Sequence, residues 1–431
     1  MFYKTFLNTR LGKFSFPSQT SLIIRSALVG FLFIFILSSC SKTQHTRTTH
    51  KNGEWIGTWD APQQLVEPRN MPPEPGLSHN TIRQLVHVSL GGDSLRLHFS
   101  NKFGTTPVTL KAVHIAVPVA ADSSAILPAT DKALTFDGKP GITIPPDSAV
   151  ISDPFHFALK PLSNVAITIY YGKTTPNLTG HPGSRSTSYL VTGNKVSQTS
   201  FSDAVKTNHW YTIAGIDVVA PDSAASVVVL GNSITDGHAS GTNKNARWTD
   251  DLARRLQANP ATKEVSVLNE GLGGNCVLHD GCLGPPAVRR FKRDVIDHPK
   301  VKWLIVLEGI NDIGTSHGPK NAAIIADRLI DAYKWMINTA HAHHIKVYGA
   351  TMTPFAGSFY DKPGHIAAWK KVNKWIRNSG RFDAVIDFDK AMRDPKHPLH
   401  LIPKGDSGGH LHPDSLGYAM MAKSINLKLF Q

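Results

Sequence analysis

A change of hydrophobic period near Pro221 divides this chain of 431 residues into two textures that no single fold class accommodates. Upstream, apolar positions alternate with polar ones. Val86, Val88 and Leu90 are followed by a Gly91-Gly92-Asp93 turn and then by Leu95, Leu97 and Phe99, the pattern of a β-hairpin. Val165, Ile167 and Ile169 repeat the period of two, and Gly and Pro punctuate the stretches between. Residues 54–222 are therefore expected to form an all-β domain of the sandwich type. Downstream, residues 226–230, 265–268, 303–307 and 345–349 are nearly continuous apolar runs, as parallel strands buried on both faces require. Trp248, Leu252 and Leu256 share one helical face, and residues 322–342 are long, amphipathic and free of Gly and Pro. Strands alternating with helices predict a three-layer α/β domain with a parallel sheet over residues 223–431, its ligands gathered at the carboxyl ends of the strands.

Three of those strand ends carry polar, glycine-rich segments: GNSITDG at 231–237, NEGLGGN at 269–275 and EGINDIG at 308–314. A serine at a tight strand-to-helix turn is exposed for attack, and the helix start beside it favours developing negative charge. Asn and Ser are equally good helix caps, so this segment also reads as an ordinary turn. Acyl transfer needs hydrogen-bond donors where the tetrahedral oxyanion forms, and the Gly274 N–H with the Asn311 amide can supply them. Gly274 can equally serve a positive φ, and Asn311 and Asp312 can cap the following helix. Near the C-terminus, DSGGHLHPDSLGY (406–418) sets His412 before Pro413 and a helix-like stretch at 417–428. A histidine within reach of Ser233 can take its proton and return it to a leaving alcohol, with His410 as the local competitor.

These four segments, in this order, resemble the blocks of the SGNH (GDSL-like) hydrolase family over residues 224–431. The resemblance implies a flavodoxin-like sheet, attack by Ser233 with His412 as base, and an oxyanion hole made of the Ser233 N–H, the Gly274 N–H and the Asn311 side chain. It implies no metal and no organic cofactor. GTW at 57–59 and LTFDGKP at 134–140 look like the N-terminal part of secreted two-domain GDSL-like bacterial hydrolases. Two positions depart from the family pattern. Asn232 stands where the family has an acid, and Gly409 stands three residues before His412, where the acid that orients the histidine is usual. Asp406 is the nearest replacement for that third role. Otherwise His412 leans on a backbone carbonyl and the site is a Ser–His dyad.

The first forty residues read as an export signal. Lys4, Arg10, Lys13 and Arg25 precede an apolar stretch at 27–37 that is short for a membrane span, and Leu37-Ser38-Ser39-Cys40 resembles a bacterial lipobox with Cys40 as the lipidated residue. An uncleaved anchor helix is the alternative. Residues 41–53 are polar and basic, as a tether would be. Both readings place the protein in the bacterial cell envelope, held to the membrane by a lipid anchor in the first. The formal charge is +14, and four of the positive charges precede Cys40. The remaining Lys and Arg are scattered with no basic helix or aromatic-interleaved stripe, which argues against a nucleic-acid partner. Cys276 and Cys282 either close a small loop as a disulfide or remain free thiols, and His279 and Asp280 are too few additional ligands for zinc.

Two further groups are expected to be structural. His341, His343 and His344 follow a long helix, whose C-terminal dipole favours them. Trp369, Val372, Trp375 and Ile376 fit one apolar helix face. The expected activity is hydrolysis of carboxylic esters, with carbohydrate O-acetyl esters first, lipid or lysophospholipid esters second, and a catalytically impaired glycan-binding protein as the reading from a different class.

Overall fold

In a computed structural model that describes residues 53–431, the strands upstream of Pro221 are antiparallel and those downstream are parallel. Cys40 and nearly all of the expected tether lie outside the described residues. The upstream part has two main sheets. One contains Glu54–Asp60, Ile213–Ala220, Gly92–Ser100 and Ala149–Ile151, and the other runs through Ser188–Thr192, Asn80–His87, Asn164–Tyr171 and Val108–Ala116. Their inner faces share one apolar cluster that includes Ile56, Leu97, Phe99 and Ile216 from the first sheet and Ile82, Val113, Ile167 and Ile169 from the second. Packing of two sheets on a common core is what the period-2 pattern requires.

The expected hairpin at Gly91-Gly92-Asp93 does not form. Asn80–His87 and Gly92–Ser100 belong to different sheets. The reason lies in the connection between them. Ser89 N donates to Thr58 O at 3.0 Å, and Leu90 exchanges hydrogen bonds with the Thr58 hydroxyl, Leu90 N to Oγ1 at 2.8 Å and Oγ1 to Leu90 O at 2.6 Å. These bonds carry the chain across the core while Val88 and Leu90 stay buried. Alternation alone cannot distinguish a strand pair from a strand that changes sheets.

The downstream part is a five-stranded parallel sheet in the spatial order Val265–Gly271, Ala225–Gly231, Val301–Leu307, Lys346–Ala350, Ala384–Ile386. Numbered along the chain this is 2-1-3-4-5, the flavodoxin-like order. Every residue of Ala225–Gly231 is buried, which explains its unbroken apolar sequence. The fifth strand is short and half exposed, and its sequence carries no comparable run. Two apolar clusters cover the two faces of the sheet. One includes the Gly318–Ala342 helix, and the other includes Trp248–Gln257 and Ser415–Ser424. Gly318–Ala342 begins four residues before the apolar pattern, with Pro319 in its first turn, where a missing N–H costs nothing.

The two parts meet along the Val265–Gly271 edge. Val267 N donates to Ser89 Oγ at 3.0 Å, and Leu268 packs so closely on Gly57 that an added Cβ there would lie 2.9 Å from it. The edge of the parallel sheet is thus covered by the antiparallel part. The described residues form one compact unit. Among them, no helix is long and apolar enough to cross a membrane.

Candidate active site

Ser233 is the first residue of the short helix Ser233–Asp236, directly beyond the buried Ala225–Gly231 strand. The turn is tight, because a Cβ on Gly231 would lie 2.2 Å from Thr235 Oγ1. Asn232, the substituted residue, caps the helix by accepting from Ile234 N at 3.1 Å. Its Nδ2 donates to Glu308 Oε2 at 3.3 Å. Burial pushes the Glu308 carboxyl up to about 8, against the opposing pull of Arg290.

Ser233 Oγ lies 2.8 Å from His412 Nε2. That distance permits transfer of the hydroxyl proton to the imidazole. Gly274 and Asn311 line the same cleft as Ser233 and His412. Gly274 has φ +70°, so its positive-φ role and its place in the cleft coexist. Asn311 Nδ2 donates to Asn275 O at 2.7 Å, and Asn311 Oδ1 accepts from the Tyr360 hydroxyl at 3.0 Å. The amide has two N–H groups, so its orientation is fixed at both ends and one N–H is left for a ligand. Asp312 does not cap its helix through its side chain. It accepts from Val277 N at 2.9 Å and Leu278 N at 3.0 Å, tying down the loop that follows Gly274. The Cys276–Cys282 disulfide closes that loop, with Cα atoms 5.7 Å apart. Cys276, His279 and Cys282 lie close together, but both sulfurs are spent in the bridge.

Asp406 does not take the third role. Its Oδ1 accepts from Gly408 N and His410 N, both at 3.0 Å, and its Oδ2 lies 2.6 Å from His410 Nδ1. His410 has φ +57°, which folds its ring back onto Asp406 and directs the pair into a separate surface depression beside His397 and His400. The same pairing removes His410 as a rival base. His412 Nδ1 has no hydrogen-bond partner among the described residues. The His238 ring lies against His412 with centroids 4.2 Å apart, and His238 is held in place by the Tyr418 hydroxyl, which donates to its carbonyl at 2.7 Å. Burial, followed by His238 and the Arg185 guanidinium, pulls the His412 imidazole down to about 3, with Asp236 opposing.

Sequence reasoning missed what the antiparallel part brings to this cleft. Gln64, Glu67, Arg69, Asn70, Arg185 and His209 all line it. Asp236, three residues after Ser233, is 2 % exposed and meets two of that part's side chains: Oδ1 lies 2.9 Å from His181 Nε2, and Oδ2 accepts from an Arg185 guanidinium N–H at 3.0 Å. Burial pushes its carboxyl upward, but Arg185 and His181 hold it below the usual carboxylate range. The only signal available in the sequence was an acid inside the nucleophile segment with no assigned task. Of the groups expected to be structural, His341 Nε2 pairs with Asp383 at 2.8 Å, Trp369, Val372 and Ile376 are buried, and Trp375 is partly buried against the same core.

Residues 229–420 match the GDSL-like Lipase/Acylhydrolase family. No curated protein matches the chain. Solved structures similar to it include a catalytic mutant of an acetylxylan esterase from Geobacillus stearothermophilus, 19% identical over 48% of this chain and 94% of that one, with a TM-score of 0.38. A carbohydrate acetylesterase from Sinorhizobium meliloti is 15% identical over 48% of this chain and 98% of that one (TM-score 0.36). A GDSL-like lipase from Bacteroides thetaiotaomicron is 20% identical over 46% of this chain and 84% of that one (TM-score 0.34).

Proposed function

We propose that this chain is a carboxylic ester hydrolase, in keeping with the match of residues 229–420 to the GDSL-like lipase/acylhydrolase family, and that it cleaves carbohydrate O-acetyl esters through an acyl-Ser233 intermediate. The observation that carries this reading is the 2.8 Å approach of Ser233 Oγ to His412 Nε2 in a cleft that also holds Gly274 and Asn311. Ser233 Oγ attacks the ester carbonyl as its proton passes to His412 Nε2. The Ser233 and Gly274 N–H groups and the free Asn311 N–H receive the oxyanion. The alkoxide of the sugar leaves with the proton from His412, and water, deprotonated by the same nitrogen, releases acetate. With Nδ1 unpaired, the pair works as a dyad.

The polar part of the cleft wall supports the sugar reading. Gln64, Glu67, Arg69, Asn70 and His209 offer hydrogen bonds to hydroxyls, beside apolar lining from Pro182, Leu283, Leu411 and the rings of Phe359 and Tyr360. Phe359 is 66 % exposed, which suits stacking against a sugar face. We further propose that the protein is exported and lipidated at Cys40, which would hold this cleft at the cell envelope. Metabolic labelling with a fatty-acid analogue should mark the wild type and spare Cys40→Ser.

The deciding experiment combines a fluorophosphonate probe with release assays on acetylated xylan, acetylated pectin, p-nitrophenyl acetate and lysophospholipid. Labelling at Ser233 with acetate release from a glycan is the expected result. Faster turnover of lysophospholipid would replace the glycan reading with the lipid one, and hydrolysis no faster than that of Ser233→Ala on every ester would leave a binding protein.

A further inference from the structure

Beneath the seam between the two parts lies a second group of polar side chains that the esterase reaction does not use. Asp60 ends the Glu54–Asp60 strand, Glu270 lies in the Val265–Gly271 strand, and His298 follows the Lys292–Ile296 turn. Each offers one ligand atom, and these atoms all lie within 4.8 Å of one another. His298 Nε2 is 3.1 Å from Glu270 Oε1, and His298 Nδ1 is 3.9 Å from Asp60 Oδ2. Glu270 is 0 % exposed, and its second oxygen, Oε2, is buried without a hydrogen-bond partner. An unsatisfied carboxylate oxygen at that depth is costly unless something positive sits beside it.

The surrounding arginines feel these carboxylates but are paired with other acids. Arg290 pairs with Asp294 and Glu308, Arg293 with Asp294, and Arg96 and His98 with Asp217. Within ion-pair distance of Asp60 or Glu270, the described residues offer only His298. Two carboxylates therefore share one imidazole. At that spacing the Asp60 and Glu270 carboxylates repel each other. A bound cation relieves that repulsion more fully than a single proton can.

We propose that Asp60, Glu270 and His298 form a binding site for one divalent transition-metal ion of the zinc type, which fastens the antiparallel part to the parallel sheet. The donor set is two carboxylate oxygens and one imidazole nitrogen, which suits zinc better than calcium, an ion that takes six to eight oxygens. Ligand atoms bonded at about 2.0–2.2 Å to one ion stand roughly 3.0–3.5 Å apart, the range into which the Glu270–His298 contact falls. Asp60 and His298 retain 20% and 13% exposure of their side chains, so an ion has a way in.

The test uses the full chain, stripped with a chelator and then titrated with Zn2+. The wild type should bind one equivalent more zinc than Asp60→Asn or Glu270→Gln, and its melting temperature should rise by several degrees, a rise both variants lose. Zinc held by histidines elsewhere adds equally to all three and cancels. Folded variants that keep the wild-type stoichiometry and the same thermal shift would overturn the site and favour a proton shared between Asp60 and Glu270. Should the variants not fold, anomalous scattering at the zinc edge from soaked wild-type crystals decides. A peak among the three side chains is expected, and peaks only elsewhere would refute the proposal.

Discussion

Restoring an acid at position 409 tests the chemistry of this site most directly. As the proposed base, His412 would become an imidazolium in the transition state, yet burial, His238 and Arg185 pull its folded value down to about 3. Against an ordinary histidine near 6.5, that penalty is on the order of 5 kcal/mol. Removing the aspartate from a serine-protease triad costs about 10⁴ in kcat, which is of similar size. Gly409 can accept a side chain: its φ is not positive, and a Cβ built there meets nothing within 4 Å. Gly409→Asp should therefore raise kcat on p-nitrophenyl acetate by roughly 10- to 1000-fold, less than the full triad effect because the loop is not built around the new carboxylate. The pH profile provides an independent reading. His412 is active when neutral, so the acid limb of kcat/KM in the wild type should lie near its folded value of about 3, and a carboxylate at Nδ1 should move it upward toward the ordinary histidine range. Gly409→Asn, similar in volume but uncharged, should do neither. If Gly409→Asp stays within threefold of the wild type and its acid limb does not move, the absence of a carboxylate is not what limits His412.

Asn311→Ala should lower kcat by about 100-fold or more with little change in KM, because the donor acts on charge present only in the transition state. Tyr360→Phe, which frees the Asn311 carbonyl, should lower kcat by about 10-fold, again without a matching rise in KM. Asp406→Asn should change kcat less than about threefold in the same ester assay, since its carboxylate serves His410 rather than His412. Glu308 has a raised folded value of about 8, so the folded protein holds a proton that the unfolded chain releases near 4.5, and stability falls as pH rises from that value to about 8. Glu308→Gln should match the wild type in thermal melts at pH 4 and exceed it at pH 8, by an amount on the order of 3–5 kcal/mol if the full shift is realised.

The parallel sheet and three of the site segments were legible because they depend on local rules. A strand buried on both faces must be apolar throughout, and the polar segment at its carboxyl end must turn. Ser233, Gly274 and Asn311 are each fixed by such a strand end, which is why their order along the chain sufficed to place them. The failures are non-local. The false hairpin at Gly91 depended on Thr58, about thirty residues away, receiving the chain as it crossed the core. Asp406 was the nearest acid in sequence, but a positive φ at His410 decided which imidazole it met. Arg185 and His209 come from loops with no periodicity, and only the docking of one part on the other brings them beside Ser233.

The pairing of Asp236 with His181 and Arg185 bears on how this enzyme can be cut and recombined. Residues 223–431 look like a transferable cassette that carries Ser233, His412, Gly274 and Asn311 together. Excised, that cassette would carry beneath Ser233 a carboxylate shaped for a dry pocket and stripped of its partners His181 and Arg185. Such a fragment would have to admit water at the elbow or protonate the acid, and either adjustment shifts Ser233. Grafting the hydrolase onto another scaffold would accordingly need the 181–185 loop to travel with it, and exchange between related enzymes should succeed only when the loop and the elbow come from the same parent.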